Sequence, residues 1–241
     1  MASSLAAPQL LHLTLREMTE LGSRLRKLGN GAGSMEEAAG RITRCLFEDL
    51  PGTPCVLARM FKTHNYGELP EELQEVAKRM AGGGRLEDST KCLTLLASAG
   101  EKPEWNDRKG SEGHQAIPLL SAEMVASAPM ISRLIDQMGL DVQSVLEPGA
   151  QLLVDRENKA YNVFHVNEAK GSPYVPGQEF VARHGVKSML GFGGVLPSGN
   201  LLAAVLFTRV EIPRDTAEMF RTLALSVKMA ILASGCQKVF A

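Results

Sequence analysis

Apolar side chains recur at steps of three and four residues near the start of the chain. Between residues 8 and 28 they occupy Leu11, Leu15, Met18, Leu21, Leu25 and Leu28. This spacing puts them on one face of a helix, so it predicts an amphipathic helix that ends at the glycine-rich stretch 29–33. A second helix is predicted from Ser34, an N-cap residue with Glu37 at the capping-box position, to about Leu50.

The rest of the chain alternates between strand-like and helix-like patterns. Strands are predicted at 55–64, 91–99, 151–155, 160–166, 186–196 and 201–210. The last two form a hairpin, because only the turn residues 197–200 separate them. Further helices are predicted at 71–80, 121–139, 178–184 and 216–232. Pro129 interrupts the second of these, so a break is expected there. The order indicates an α+β fold with one central antiparallel sheet flanked by helices.

Composition narrows the class of protein. The chain has 241 residues, 44% hydrophobic and 22% charged, which is ordinary for one large globular domain with extensions. A formal net charge of -1 argues against a nucleic-acid surface, which is usually basic. No apolar run reaches the roughly 18 residues of a membrane-spanning helix, and no signal peptide is recognisable. We therefore expect a soluble, cytoplasmic protein without nucleic-acid or membrane partners.

Residues 186–232 carry an ordered set of patterns. A G-V-x-S-x-L-G strand, a short turn, a second apolar strand, a P-R-D sequence and a final helix follow one another. This order resembles the carboxyl half of a GAF domain, a small-molecule sensor module related in shape to PAS domains. The resemblance implies a GAF/PAS-like fold, with an N-terminal helical region at 1–50, the sensor domain at 51–235 and a tail at 236–241.

The resemblance also implies a function. The chain looks like the N-terminal input modules of bacterial signalling proteins such as sensor histidine kinases. Such modules imply a non-catalytic small-molecule or redox sensor in two-component signal transduction. The terminal helices of a homodimer would transmit the signal to a fused or separate kinase or other output domain. The expected interface residues, taken from the helical stripes, are Leu11, Leu15, Met18, Leu21, Leu25, Phe220, Leu223 and Val227.

A candidate ligand site lies on or beside the connections that would cross the sheet of a GAF-like fold. Its residues are Tyr161, Asn162, Phe164, His165 and Tyr174, with the single tryptophan, Trp105, in a lid. Asn162 and His165 can supply directed hydrogen bonds inside an apolar cleft. The alternative is that His165 alternates out to solvent on its strand and that the loop of Trp105 is plain surface. The ligand, and any cofactor, stays unknown at this point.

Two other classes of function remain open. One is a haem-binding protein or thiol-dependent enzyme that uses the same cleft, and the other is a ligand-free interaction scaffold. The chain has no H-x-x-x-H or C-x-x-C spacing and no G-x-S-x-G pattern, so neither a metal site nor a catalytic residue is predicted. The four cysteines are widely spaced and are expected to be free thiols in the core. The chain also lacks the N-K-F-D-E pattern of cyclic-nucleotide-binding GAF domains and the Cys-His pair of bilin-binding ones.

Overall fold

A six-stranded sheet forms the centre of the molecule. The computed structural model describes residues 13–50, 55–111, 113–137, 140–146, 163–175, 177–234 and 238–241. The strands are β1 (Cys55–Asn65), β2 (Lys91–Gly100), β3 (Ala116–Pro118), β4 (Val163–Val166), β5 (Ser188–Val195) and β6 (Leu201–Thr208). They lie in the order β3-β2-β1-β6-β5-β4, and every neighbouring pair is antiparallel. The predicted α+β class with a central antiparallel sheet is confirmed.

Helices cover both faces of this sheet. They are α1 (Leu15–Lys27), α2 (Met35–Glu48), α3 (Glu71–Met80), α4 (Ala122–Ala126), α5 (Pro129–Gln137), α6 (Val142–Leu146), α7 (Gln178–His184), α8 (Arg214–Met219) and α9 (Arg221–Ala233). Within the described residues, none of the helices has both the length and the apolar character needed to span a bilayer.

The two faces of the sheet have separate apolar cores. On the helix face, α1, α2 and α9 pack over side chains such as Met60 and Leu206. On the pocket face, so called because a cavity opens there, α5 and α7 pack over side chains such as Leu95 and Val205. Strand β1 contributes to both cores, which explains why its apolar residues alternate so weakly in the sequence.

Side-chain caps begin the two N-terminal helices. The Thr14 hydroxyl accepts from the Glu17 amide at 3.2 Å, while the Glu17 carboxylate accepts from the Thr14 amide at 2.7 Å, which completes a capping box. Ser34 caps α2 by accepting from the Glu37 amide at 3.0 Å. The Glu37 carboxylate accepts instead from the Gly33 amide, so the second capping box is only half formed.

Two glycines allow backbones to approach closely. A Cβ atom on Gly193 would lie 2.0 Å from the carbonyl oxygen of Leu202 in the neighbouring strand β6. A Cβ atom on Gly29, just after α1, would lie 1.8 Å from the carbonyl oxygen of Ala230 in α9. Any larger residue would push these elements apart, so both contacts depend on glycine.

Most predicted elements are found, but the short helix α6 was missed, and the helix predicted at 216–232 is divided at Phe220 into α8 and α9. The hairpin is present as β5 and β6, and α5 begins at Pro129, which confirms the break predicted there. The strand predicted at 160–166 is seen from Val163, and the one predicted at 151–155 lies outside the described residues. The edge strand β3 was missed, since three residues are too few to show a period.

Candidate functional site

A pocket of about 530 Å³ opens on the pocket face of the sheet. Its floor consists of Leu57, Arg59 and Phe61 from β1 with Val205 and Phe207 from β6. Residues two apart in a strand share a face, so each strand contributes every second side chain. The volume lies within the roughly 300–1,000 Å³ that is usual for small-molecule sites.

The described part of the connection between β2 and β3, residues 101–111 and 113–115, forms one wall. The Trp105 ring on this connection lies 5.6 Å from Phe180 and meets His184 edge-on at 4.8 Å. The ring of Phe180 in turn lies 5.6 Å from that of Phe207 on the floor. Of these four side chains, which we call the aromatic cluster, Trp105, Phe180 and Phe207 line the pocket and present flat apolar surface to it.

Polar contacts hold this wall against the sheet. The Asn106 side chain accepts from the Gly100 amide at 3.0 Å and donates to the Gly100 carbonyl at 3.1 Å. Arg209, just past β6, pairs with the carboxylate of Glu101 and also donates to the His184 carbonyl at 2.9 Å. The start of the wall is therefore fixed to β2, to the end of β6 and to α7.

Arg59 places a positive charge in the apolar floor. Its Nε is buried without a hydrogen-bond partner, and no carboxylate of the described residues forms an ion pair with it. Burial lowers the pKa of Arg59. Ser98 lies opposite Arg59 in the β1–β2 register, and the hydroxyls of Ser98 and Ser111 are also buried without partners. Such groups are costly unless another molecule completes their hydrogen bonds.

Arg108 links the pocket wall to the other side of the molecule. It is 4% exposed, its Nε donates to Glu36 Oε1 at 2.5 Å and its Nη2 donates to Glu72 Oε1 at 2.9 Å. The guanidinium also lies 5.2 Å from the ring of Phe240. Gly110, two residues further on, lines the pocket. One short turn thus contacts the pocket, the starts of α2 and α3, and the C-terminal segment.

The C-terminal segment 238–241 packs against the start of α2. The first two amides of this helix donate to the carbonyls of Lys238 and Val239 at 3.0 and 2.8 Å. The Ala241 amide donates to the Glu36 carboxylate at 2.8 Å. The segment thereby satisfies amides that a helix leaves unpaired at its N-terminus.

The predicted ligand residues are not gathered at this pocket. Trp105 lines the pocket. Phe164 is fully buried in the core of the pocket face, where it lies close to Gly191 and Leu134. His165 follows Phe164 in β4, and its half-buried side chain points to the opposite face. The ring therefore lies away from the pocket, partly buried near the backbone of Ile212.

The other predicted ligand residues lie away from the pocket or cannot be placed. Tyr174 is 38% exposed and lies beneath the guanidinium of Arg133, 5.3 Å from it. Tyr161 and Asn162 lie outside the described residues. Sequence reasoning missed Arg59, although a lone arginine between apolar neighbours in a strand was a usable signal.

Most of the predicted dimer residues are buried within their own chain. Those with exposed fractions of 2% or less are Met18, Leu21, Leu25, Phe220, Leu223 and Val227. They belong to the core of the helix face, so in this arrangement they are not available to a second copy. Leu15 is 74% exposed and Leu11 lies outside the described residues. The homodimer itself stays a prediction.

The described cysteines have the properties of core residues. Cys45, Cys55 and Cys92 are buried and free. Burial raises the pKa of Cys45 to about 11, of Cys55 to about 12 and of Cys92 to about 11. A reactive thiol needs the opposite shift. Among the residues that the structure describes, no three His, Cys, Asp or Glu side chains cluster as a metal site would require.

A second set of buried polar groups lies near the end of β1. Lys62 is 5% exposed, and burial lowers its pKa to about 8. Lys91 donates to Asn200 Oδ1 at 3.1 Å. His64 is 1% exposed, and burial, followed by the positive charges of Lys62 and Lys91, lowers its pKa to about 3. Its ring lies 5.3 Å from that of Phe240, so this group also touches the C-terminal segment.

Comparison with known proteins returns similar folds and no close relative. No family model matches the chain, and neither does any curated protein. Among solved structures it is similar to the GAF domain of a phosphoenolpyruvate-protein phosphotransferase from Coxiella burnetii, with 13% identity over 90% of this chain and 93% of that one and a TM-score of 0.46. The corresponding GAF domain from Acinetobacter gives 13% identity, the same coverages and a TM-score of 0.44. A phycoerythrobilin-bound GAF domain of a cyanobacterial phytochrome gives 13% identity, coverages of 91% and 97% and a TM-score of 0.38.

These likenesses agree with the resemblance to GAF domains seen in the sequence. Their identities and TM-scores are too low to carry over a ligand, an activity or an assembly. What this chain binds has to be argued from its own residues.

Proposed function

We propose that this chain is a non-catalytic regulatory domain that binds a small molecule in the pocket. The observation that carries the proposal is the position of residues 101–111, in the connection between β2 and β3. This segment walls the pocket through Trp105 and reaches the opposite side of the molecule through Arg108. A ligand that fits one position of the wall better than another shifts the chain towards that position.

Arg108 provides the route from the pocket to the terminal segments. The Arg108 side chain is 3% exposed and that of Glu36 is 19% exposed, so breaking this mostly buried ion pair is costly and the two side chains are expected to move together. The Glu36 carboxylate also accepts from the Ala241 amide, which brings the C-terminal segment into the same network. A fused or separate output domain, such as a kinase, would then read the change at α2, α9 or the C-terminal segment.

An enzyme that uses the same pocket is supported less well. Glu104, Ser111 and His114 all line the pocket, and these are residue types of a hydrolytic triad. The Ser111 hydroxyl has no hydrogen-bond partner, however, so no base is placed to activate it. A ligand-free scaffold would have a filled cleft, whereas this cleft is open.

The single tryptophan allows a direct test. Because Trp105 lies in the pocket wall, its fluorescence should change when a metabolite binds, and the melting temperature should rise with ligand concentration. Val205→Phe places a larger side chain on the pocket floor, leaves less room for a ligand and should weaken binding. Arg79→Phe, which places the same ring at an exposed position of α3 outside the pocket, should leave it unchanged. Amide hydrogen exchange at 238–241 and at the start of α2 should change on binding.

The outcomes separate binding from transmission. A bound compound that leaves the exchange of 238–241 and α2 unchanged would show a site without the proposed route. If the purified protein carries no small molecule in native mass spectra, and no compound of a broad metabolite panel alters fluorescence or melting, the proposed function is wrong.

We also propose that the domain acts as a homodimer through α1 and α9. On α9, Leu225, Met229 and Leu232 follow one another at steps of four and three and are 45–47% exposed, and Leu15 on the neighbouring α1 is 74% exposed. Such a stripe suits pairing with a second copy. Sedimentation should show a dimer that Met229→Glu dissociates, while Arg79→Glu on α3 leaves it intact. A monomeric wild-type protein at micromolar concentration would contradict this mechanism.

A further inference from the structure

The chemistry of the pocket indicates what kind of molecule it takes. We infer that the ligand carries a carboxylate on a flat, mostly apolar body, with the carboxylate on Arg59 and the body against the aromatic cluster. The inference rests on the proposed function and names the ligand class for that site.

The positive charge of Arg59 in the pocket floor would be balanced by one anionic group on the ligand. Arg59 has no ion-pair or hydrogen-bond partner within the described residues, and its position between Leu57 and Phe61 surrounds it with apolar side chains. An arginine guanidinium offers parallel N–H donors that match the two oxygens of a carboxylate. A bound carboxylate would neutralise the charge and satisfy the buried Nε together.

Neighbouring groups limit the ligand to a low negative charge. Arg59 is the one arginine or lysine among the described residues that line the pocket, and Glu104 adds a negative charge to the same lining. A nucleotide or a diphosphate usually requires several cations or a phosphate-binding loop, and neither is found in this lining. The hydroxyls of Ser98 and Ser111, which lack partners, can serve one additional polar atom of the ligand or its second carboxylate oxygen.

The remaining lining sets the shape of the ligand. Trp105, Phe180 and Phe207 present ring faces and edges along one side of the cavity. Flat rings pack against such surfaces in stacked or edge-on arrangements. Met130 from α5 lines the pocket as well, and its flexible thioether side chain adapts to different outlines. An aromatic or conjugated monocarboxylic acid matches all of these features.

Matched acids and amides test the inference. Calorimetric titrations would compare phenylacetate, cinnamate and benzoate with phenylacetamide, cinnamamide and benzamide. The wild type should bind at least one acid about tenfold or more tightly than its amide, as expected of a charged hydrogen bond. Arg59→Met keeps an unbranched apolar stem and should abolish this preference. Arg85→Met, at a side chain that is 89% exposed and outside the pocket, should retain it.

Melting curves show whether the variants fold. Arg59→Met should melt no lower than the wild type, since it removes a buried charge that has no partner. If amides bind the wild type as tightly as the acids, the inferred ligand class is wrong. The same holds if Arg59→Met still prefers the acids. Both results leave the proposed function standing. If neither the acids nor the amides bind, the inference fails. If the wider metabolite panel is also silent, the proposed function fails with it.

Discussion

Acidification should destabilise this fold through His64. The ring is 1% exposed, neither ring nitrogen has a hydrogen bond of good geometry, and burial lowers its pKa from 6.5 to about 3. Between these two values the unfolded chain binds a proton that the native chain refuses, so the stability due to neutral His64 is present above pH 6.5 and is lost as the pH falls towards 3. At 1.36 kcal/mol per pKa unit, the loss between pH 7 and pH 5 is about 2 kcal/mol.

Urea unfolding at pH 7 and pH 5 measures this loss. His64→Phe and His64→Leu remove the titrating group while keeping an apolar side chain next to Phe240. Protonation of exposed carboxylates with lowered pKa, such as those of Glu17 and Glu37, also destabilises the fold in acid, but this effect is the same in every variant. The variants should therefore lose about 2 kcal/mol less than the wild type between the two pH values.

The result that refutes this reasoning is an equal loss in all three proteins. It would mean that His64 has the same pKa in the folded and unfolded chains, and hence that the ring is solvated or paired. A histidine resonance that titrates near pH 6.5 in the folded wild type and is missing from His64→Phe would show that the His64 ring is not buried as described here.

Three further predictions follow from packing and from the thiols. Gly193→Ala places a methyl group against the backbone of β6 and should lower the free energy of unfolding by about 2–3 kcal/mol, or the melting temperature by roughly 5–10 °C. In Gly40→Ala, in α2, nothing lies within 4 Å of the added Cβ, so this change should stabilise the chain by about 0.5–1 kcal/mol. Native protein at pH 8 should react with a thiol reagent at no more than one cysteine, Cys236, because burial keeps Cys45, Cys55 and Cys92 protonated. Rapid labelling of two or more cysteines in the native protein would contradict the burial of these thiols. Arg209→Met removes a partly exposed ion pair with Glu101 and should cost no more than about 1 kcal/mol of unfolding free energy, so a larger loss in a denaturant titration would show that this pair fixes the pocket wall.

The parts of the fold that were predicted correctly depend on neighbours in sequence. The turn 197–200 joins two apolar runs, so β5 and β6 could be predicted together, and Ser34 marks the start of α2 through its own side chain. The pocket has no such local signal. Its floor requires β1 to lie between β2 and β6, and this order is set by contacts between segments far apart in the chain.

His165 shows how one register decides which residues form a site. Phe164 pairs with Gly191 of β5 and points into the core of the pocket face, so the next residue must point the other way. Alternation along the strand favoured a His165 side chain outside the cleft only slightly over one inside it. Arg59 is the opposite case, because the same alternation places it between Leu57 and Phe61, and the structure then shows that this face of β1 remains partly uncovered.

The difference between the two faces of the sheet is the reason that the proposed regulation is routed through Arg108. The helix face is closely packed, down to the contact of Gly29 with the backbone of Ala230, so it responds to a displacement as a unit. The pocket face contains a cavity, and a ligand there buries apolar surface that the free chain leaves open. Arg108 belongs to the pocket wall but pairs with Glu36 at the start of α2. A shift of the wall must therefore either carry α2 and the C-terminal segment with it or break the mostly buried ion pair between Arg108 and Glu36.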